Sequence, residues 1–205
     1  MQSVYSWLMW AIQPFLRSKL RRRGLKEPGY LEHIEERFGI YARSFHSASH
    51  PEKSSKTCVW VHAVSLGETR AAEVLLQALR SEYPNVRIVL THGTATGRAL
   101  GATLLKEGDV QVWQPWDTPT IVQKFLQYFQ PNLAVVLETE VWPNWVAQCQ
   151  HAHIPMVLVN ARMSEKSMRS SQRLAWLSRP AYAGLNGVWA QTVDAVETPV
   201  DAHQT

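Results

Sequence analysis

Cysteine is nearly absent from this 205-residue sequence, in which only Cys58 and Cys149 occur. Two separate thiols supply neither a disulfide framework nor a zinc site, and such sparse cysteine is typical of a reducing, cytosolic compartment. His151 and His153 lie close together but have no further ligands at suitable spacing. We therefore predict no bound metal and no cofactor.

Glycine-rich phosphate loops are also missing. The sequence has no Gly-x-x-x-x-Gly-Lys-Ser/Thr loop and no Gly-x-Gly-x-x-Gly motif, which disfavours nucleotide hydrolysis and dinucleotide binding. It has no internal repeat and no low-complexity tract. Apolar residues make up 45% of the chain, which is ample for one packed core.

A long hydrophobic run is lacking at the N-terminus, although residues 1–16 are mostly apolar or aromatic. About twenty apolar residues are needed to cross a bilayer, so this run is short for a spanning helix. It also makes a poor signal peptide, because its basic residues follow the apolar part. The net charge is +4, and the excess is concentrated in residues 17–26.

An apolar helix followed by basic residues is typical of an element that lies in the interface of an anionic membrane leaflet. The positive-inside rule then places the globular part on the cytoplasmic side. The alternative is a helix that simply packs on the domain. The residues predicted to contact the membrane are Trp7, Trp10, Arg21, Arg22 and Arg23.

From residue 58 onwards, short apolar runs alternate with stretches of helical spacing. The predicted strands are residues 58–64, 86–90, 110–113, 133–137, 156–159 and 187–190. Alternation of this kind, with nearly continuous apolar strands, predicts an α/β fold: a Rossmann-like parallel sheet with helices on both faces. We expect a membrane-associated basic segment over 1–43, a loop over 44–57, the α/β domain over 58–191 and a polar tail over 192–205.

Four polar segments follow four of these strands: residues 65–68, 91–97, 138–144 and 160–164. Ligands of open α/β sheets bind beyond the carboxyl ends of the strands, so these segments predict a single site. The candidate ligand-binding residues within them are Ser65, Gly67, Thr94, Thr96, Gly97, Glu138, Glu140, Asn160 and Arg162.

Ser65-x-x-Glu68 has two interpretations. One is a capping box, in which the two side chains satisfy N–H groups at the start of a helix. The other is that Glu68 is a general base, since a partly desolvated carboxylate beside a hydroxyl can remove its proton.

The other segments leave alternatives open too. Glu138 and Glu140 project to the same side of an extended strand end and are either solvated or paired with a cation such as Arg162. Arg162 binds carboxylate or phosphate through two parallel hydrogen bonds, or forms that internal salt bridge. His62 lies within a strand and is interpreted as a core histidine, although its nearness to Glu68 leaves a role in the site open. Each tryptophan of 142–145, taken singly, favours core packing over stacking on a sugar.

The segments 24–30, 36–39, 62–68, 138–144 and 160–164 closely resemble, in the same order, the N-terminal acceptor-side domain of the 3-deoxy-D-manno-octulosonic acid (Kdo) transferases. Members of that family attach Kdo to the lipid A precursor of lipopolysaccharide. The resemblance runs from about Arg23 to Gln191. It implies the N-terminal half of a two-domain, GT-B-type glycosyltransferase with an N-terminal membrane anchor, located at the cytoplasmic face of the inner membrane.

The same resemblance implies that Glu68 is the catalytic base, that CMP-Kdo is the donor and that the bisphosphorylated precursor lipid IVA is the acceptor. Anionic inner-membrane lipids are further expected partners, and nucleic acid is not. No second set of strands and helices follows Gln191, so we expect that the donor domain is missing and that this chain alone is inactive. The alternative function is a non-catalytic, membrane-bound module that binds anionic lipid or a protein partner.

Overall fold

The structure is a computed structural model that describes residues 2–41, 57–139, 141–161 and 175–191. Six strands of this part form one parallel sheet. They are β1 Cys58–His62, β2 Arg87–His92, β3 Val110–Trp113, β4 Leu133–Leu137, β5 Met156–Ala161 and β6 Gly187–Ala190. All six overlap predicted strands, so the predicted α/β fold is confirmed.

Seven α-helices are described. They are α1 Gln2–Ala11, α2 Gln13–Gly24, α3 Leu66–Glu82, α4 Ala95–Leu104, α5 Pro119–Phe129, α6 Pro143–His151 and α7 Ala175–Ala183. Two 3₁₀ turns, Pro28–Tyr30 and Ile34–Phe38, join α2 to the rest of the chain. The predicted loop over 44–57, apart from residue 57, and the predicted polar tail over 192–205 lie outside the described residues.

The strands are ordered β3-β2-β1-β4-β5-β6. The chain runs outward from β1 to β3 and then returns to place β4 on the other side of β1. This reversal between β1 and β4 is the topological switch point, where α/β sheets of this order open a crevice at the carboxyl ends of the strands.

Helices cover both faces of the sheet. Alternate residues of β1 serve the two cores: Val59 and Val61 pack with Leu76 of α3, whereas Trp60 packs on the opposite face. There its ring centroid lies 4.5 Å from that of Phe125 in α5 and 4.9 Å from that of Trp145 in α6. Because both faces are covered, the strands are apolar almost throughout, as the sequence shows.

The buried tryptophans have polar partners for their indole N–H groups. Trp60 Nε1 donates to Thr91 Oγ1 over 2.8 Å, and Trp145 Nε1 donates to the carbonyl of Pro115 over 3.2 Å. Hydrogen bonds of this kind allow a large aromatic side chain to be buried without an unsatisfied donor.

The N-terminal segment packs against the β3 edge of the sheet. Leu16 and Leu20 of α2 join a separate apolar cluster with Tyr30, Phe38 and Trp113, the last residue of β3. The rings of Tyr30 and Trp113 stack with centroids 5.8 Å apart. Residues 2–41 are therefore attached to the α/β domain through side-chain contacts.

Three predicted strand ends are wrong. β1 ends at His62 instead of continuing to residue 64. β2 continues past Leu90 through Thr91 and His92, and β5 continues past Val159 to Ala161. Thr91 and His92 remain in the sheet because their polar atoms find partners there: Thr91 bonds Trp60, and His92 Nδ1 lies 2.8 Å from the carbonyl oxygen of Ala63. Polar residues alone therefore do not mark the end of β2, because the strand continues where their side chains have partners in the sheet.

Candidate functional site

The turns after β1 and β2 meet at the carbonyl of Val64. Its oxygen accepts hydrogen bonds from the backbone N–H groups of Gly93 and Thr94, over 3.1 and 3.0 Å, and from Thr94 Oγ1 over 3.0 Å. Two turns that are distant in sequence are thereby held together at the carboxyl edge of the sheet. The predicted residues on these two turns therefore lie close together.

Helix α4 begins directly against the β1–α3 turn. Thr94 is its N-cap and accepts a hydrogen bond from Gly97 N over 3.2 Å. A Cβ added at Gly97 would lie 3.0 Å from the carbonyl oxygen of Val64 and 3.1 Å from the carbonyl carbon of Ser65. The position therefore needs glycine for packing. Thr96, one residue earlier, is exposed.

Ser65 and Glu68 form the predicted capping arrangement at the start of α3. Ser65 Oγ accepts from Glu68 N over 3.4 Å and donates to Glu68 Oε1 over 3.0 Å, while Glu68 Oε2 accepts from Val64 N over 2.8 Å. Glu68 is only 7% exposed. A carboxylate has about four acceptor sites, so capping and a role as proton acceptor are chemically compatible.

Gly67 differs from Gly97 because the chain leaves space around it. A Cβ there would meet nothing nearer than Ser65 Oγ, at 3.9 Å, and the residue is exposed. Packing within the described residues therefore does not require glycine at this helical position.

Glu138 lies at the corner after β4 with a left-handed φ of 60°, a conformation that costs energy for residues other than glycine. Its N–H donates to the carbonyl of Val159 over 3.1 Å, which ties the corner to β5. Asn160 also has a left-handed φ, 53°, at an irregularity in the β5–β6 register. Asparagine tolerates this conformation, and such bulges redirect side chains. Glu140, Arg162 and Ser164 lie outside the described residues.

The positions of these elements define the candidate site. β1 and β4 are hydrogen-bonded neighbours, with His62 opposite Val136. The turn carrying Glu68 and the corner carrying Glu138 therefore lie on the two sides of the switch point, with the Thr94 turn next to the first and Asn160 next to the second. Parallel neighbours are separated by roughly 4.8 Å, so the four strand ends lie side by side at the carboxyl edge of the sheet, where ligands of such folds bind.

His62 is a core residue, as the sequence favoured. It is fully buried, its Nδ1 lies 2.9 Å from Thr91 Oγ1, and its ring meets Trp145 edge-on with centroids 4.7 Å apart. Burial is the main cause that lowers its pKa to about 3, and burial likewise lowers the pKa of His92 to about 4. Both imidazoles are therefore neutral at physiological pH.

Trp145 confirms the core-packing interpretation, because it is fully buried between Trp60 and His62. Trp142 is half-buried, with its centroid 6.1 Å from that of Trp145.

In the described part of the chain, no group of three or more His, Cys, Asp or Glu side chains is placed to hold a metal ion.

Arg37 is a residue for which no role is predicted from the sequence. Its Nη2 donates to the carbonyl of Gly93 over 3.0 Å, and its guanidinium lies 4.0 Å from the centre of the Trp113 ring. Burial lowers its pKa to about 9, which leaves it protonated at neutral pH. Arg37 thus places a buried positive charge beside the β2–α4 turn. The only indication in the sequence is that Arg37 lies in segment 36–39, one of the segments that carry the family resemblance.

Asp117 was missed altogether. It is 1% exposed and accepts hydrogen bonds from Asn144 N over 3.3 Å and from Trp145 N over 3.0 Å, so it caps the start of α6. Burial is the main cause that raises its pKa to about 7, against the opposing effect of its hydrogen bonds. A carboxylate that caps a helix 27 residues away leaves no short-range pattern in the sequence.

Helix α1 presents apolar side chains to the outside. Trp7 is 63% and Trp10 62% exposed, with Val4, Leu8, Ile12 and Phe15 exposed around them. Tyr5 and Ser6 instead bond to the domain. Arg21, Arg22 and Arg23 are exposed near the end of α2, where Arg23 also lies over the Tyr30 ring. Among the described helices, none has both the length and the apolar character needed to cross a membrane.

Residues 32–200 match the family model described as 3-Deoxy-D-manno-octulosonic-acid transferase (kdotransferase). The chain belongs to the Kdo transferase family. This is a family of glycosyltransferases, and the matched segment contains all four polar segments of the candidate site. Helices α1 and α2 precede it.

Named relatives agree with this assignment. The chain is 46% identical over 139 residues to the 3-deoxy-D-manno-octulosonic acid transferase of Bordetella pertussis, covering 65% of this chain and 32% of that protein. It is 30% identical over 187 residues to the enzyme of Haemophilus influenzae, covering 91% and 40%. A probable mitochondrial Kdo transferase of Arabidopsis thaliana is 31% identical over 166 residues, covering 81% and 35%. The chain therefore spans less than half the length of these curated relatives.

Proposed function

We propose that this chain is the acceptor side of an enzyme that transfers Kdo from CMP-Kdo to the lipid A precursor, lipid IVA, in lipopolysaccharide biosynthesis. The observation that carries the proposal is the position of Glu68. This buried carboxylate is held by Val64 and Ser65 at the switch point of a Kdo transferase fold, across from the Glu138 corner.

In the proposed reaction, a hydroxyl of the acceptor attacks the anomeric carbon of Kdo. The new bond joins the hydroxyl oxygen to that carbon, the bond from the carbon to CMP breaks, and CMP leaves with the bonding electrons. Glu68 accepts the proton of the hydroxyl as the attack proceeds. A base and a phosphate leaving group are sufficient for this inverting displacement.

Positioning is the second contribution of the site. Ser65, Gly67, Thr94, Thr96 and Gly97 lie on the two joined turns that carry the base, and Glu138 and Asn160 lie at the ends of the neighbouring strands β4 and β5. Their role in the proposal is to orient the acceptor sugar and its phosphates, a contribution worth several kcal/mol in enzymes generally. The donor is bound mostly by a second domain in a GT-B arrangement.

The proposed location is the cytoplasmic face of the inner membrane. Helix α1 has its hydroxyl-bearing side on the domain and its apolar side exposed, the reverse of a helix that packs on a soluble core. Exposed tryptophans followed by the basic end of α2 suit the interface of an anionic leaflet. The membrane would then present the lipid-linked acceptor beside the domain.

The same exposed face favours a second candidate function, a non-catalytic module that binds anionic lipid. Binding of lipid IVA distinguishes the two. We expect Glu138→Gln to weaken binding of lipid IVA in neutral detergent micelles but to leave binding to acceptor-free anionic vesicles unchanged. If acceptor binding instead depends only on Arg21, Arg22 and Arg23 and disappears with salt, the module is the better description.

A further inference from the structure

Asp117 joins two elements that are remote in sequence. Its Oδ2 accepts a hydrogen bond from the hydroxyl of Tyr5 in α1 over 2.7 Å, and also from Asn144 N over 3.3 Å. Its Oδ1 accepts from Trp145 N over 3.0 Å. One buried carboxylate therefore receives donors from the N-terminal helix and from the start of α6.

A second set of contacts runs alongside the first. Ser6 Oγ donates to Asn144 Oδ1 over 2.8 Å, and Asn144 Nδ2 donates to the carbonyl of Asp117 over 2.7 Å. Trp116 Nε1 donates to the carbonyl of Met9 over 2.8 Å. The face of α1 that meets the domain is thus joined by directional hydrogen bonds, which specify its position.

The start of α6 is also the end of the segment that carries Glu138. Only residues 138–142 separate β4 from α6. The near end of this segment is fixed by the bond from Glu138 N to the Val159 carbonyl, and the far end by the bonds from Asn144 and Trp145 to Asp117. Movement of Asp117 therefore moves one of the two attachment points of the Glu138 corner.

Burial makes this arrangement sensitive to each donor. A carboxylate out of water is costly unless its acceptor sites are filled, and the high pKa of Asp117 reflects that cost. Tyr5 fills one of these acceptor sites with a hydrogen bond of 2.7 Å, which is charge-assisted, and so stronger than a neutral one, whenever Asp117 is ionised. If α1 leaves the domain, Asp117 loses this donor and becomes exposed to water, which weakens its hold on α6.

We propose that Asp117 is a positioning residue that couples docking of α1 to the placement of the Glu138 corner at the acceptor site. The inference rests on the proposed function, since the segment matters for catalysis only if it contacts the acceptor. Helix α1, the proposed membrane contact, would in this way also position part of the site that binds the lipid-linked acceptor.

Hydrogen–deuterium exchange of the intact chain tests the coupling without any substrate. Tyr5→Phe removes only the hydroxyl, and we expect the amides of Asn144 and Trp145 to exchange about tenfold faster, the usual effect of losing a hydrogen bond to a charged group. Tyr128→Phe is the matched control, because its buried hydroxyl has no hydrogen-bond partner among the described residues. Equal exchange of the two amides in both variants would overturn the coupling.

Titration with lipid IVA in neutral micelles tests the functional consequence. We expect Tyr5→Phe to weaken its binding about tenfold and Tyr128→Phe to leave it unchanged. Faster exchange with unchanged acceptor affinity would overturn the positioning role at the site. If the wild-type chain fails to bind lipid IVA, the proposed function is refuted, while the exchange result still decides whether α1 and α6 are coupled.

Discussion

The hydroxyl of Thr94 donates a hydrogen bond to the carbonyl of Val64 over 3.0 Å and so joins the start of α4 to the turn that begins α3. The Thr94 side chain also accepts from Gly97 N. One threonine thus caps its own helix and positions that helix against the turn holding Glu68. The spacing of the two turns depends on the small residue at position 97.

Gly97→Ala is predicted to destabilise the protein by about 1–3 kcal/mol, because its methyl group meets the backbone of Val64 and Ser65 and overpacks the junction. Gly67→Ala is the matched control. Its methyl group has space, and alanine is the better helix former by up to about 1 kcal/mol. Urea unfolding of both variants provides the check. Equal stability losses would show that the junction is not as tight as described.

The pH dependence of stability is predicted from three buried groups. The pKa values of His62 and His92 fall from 6.5 to about 3 and about 4 on folding, so the unfolded chain binds more protons and stability rises with pH from about 4 to 6.5. The pKa of Asp117 rises from 3.8 to about 7, so its contribution falls with pH over the same window. Because two groups raise stability with pH and one lowers it, the net stability rises with pH over this window.

His62→Gln should make this dependence nearly flat, since one histidine then opposes Asp117. The quantity to compare is the slope of unfolding free energy between pH 5 and 6.5, measured with urea, because the substitution also lowers stability at every pH. A slope identical to that of the wild type would mean that His62 is not buried in its neutral form.

Membrane association is predicted to depend on the exposed tryptophans of α1. Replacing Trp7 and Trp10 together with serine should reduce binding to anionic vesicles by about tenfold to a hundredfold, because two large apolar side chains no longer enter the interface. Substitution is preferable to deletion of α1, which would also remove the bond from Tyr5 to Asp117. Sedimentation with vesicles is the measurement.

Trp189→Ser is the control for that experiment. Trp189 is 59% exposed, much like the two tryptophans of α1, but it lies on β6. Equal vesicle binding by the Trp7 and Trp10 double variant and the wild type would exclude α1 as the contact surface.

The fold was predictable because its strands are buried on both faces. Val59, Trp60 and Val61 are all apolar for that reason, and a continuous apolar run can be recognised from the sequence alone. The cap formed by Ser65 and Glu68 was visible too, since its residues are three apart. By contrast, Asp117 bonds Tyr5 across 112 positions, and no local pattern reveals such a pair.

The site was predictable only in part for a related reason. Sequence indicates which residues follow a strand, but it does not give the order of strands in the sheet. Glu68 and Glu138 follow neighbouring strands because β4 returns to lie beside β1. The buried charge of Arg37 beside Gly93 depends on the path of the N-terminal segment over the sheet edge, which side-chain packing sets.

Kdo transfer by a Glu68→Gln variant tests the central claim most directly. The assay pairs this chain with the C-terminal half of a Kdo transferase, supplies CMP-Kdo and lipid IVA, and follows the Kdo adduct by mass spectrometry. Glutamine retains the shape of the side chain and can still accept from Val64, but it cannot take the proton. Glu73→Gln, on the same helix, is the control.

We predict that Glu68→Gln lowers turnover by about two to four orders of magnitude with little loss of thermal stability, whereas Glu73→Gln retains activity. Unchanged turnover together with reduced thermal stability in Glu68→Gln would show that Glu68 is only a helix cap.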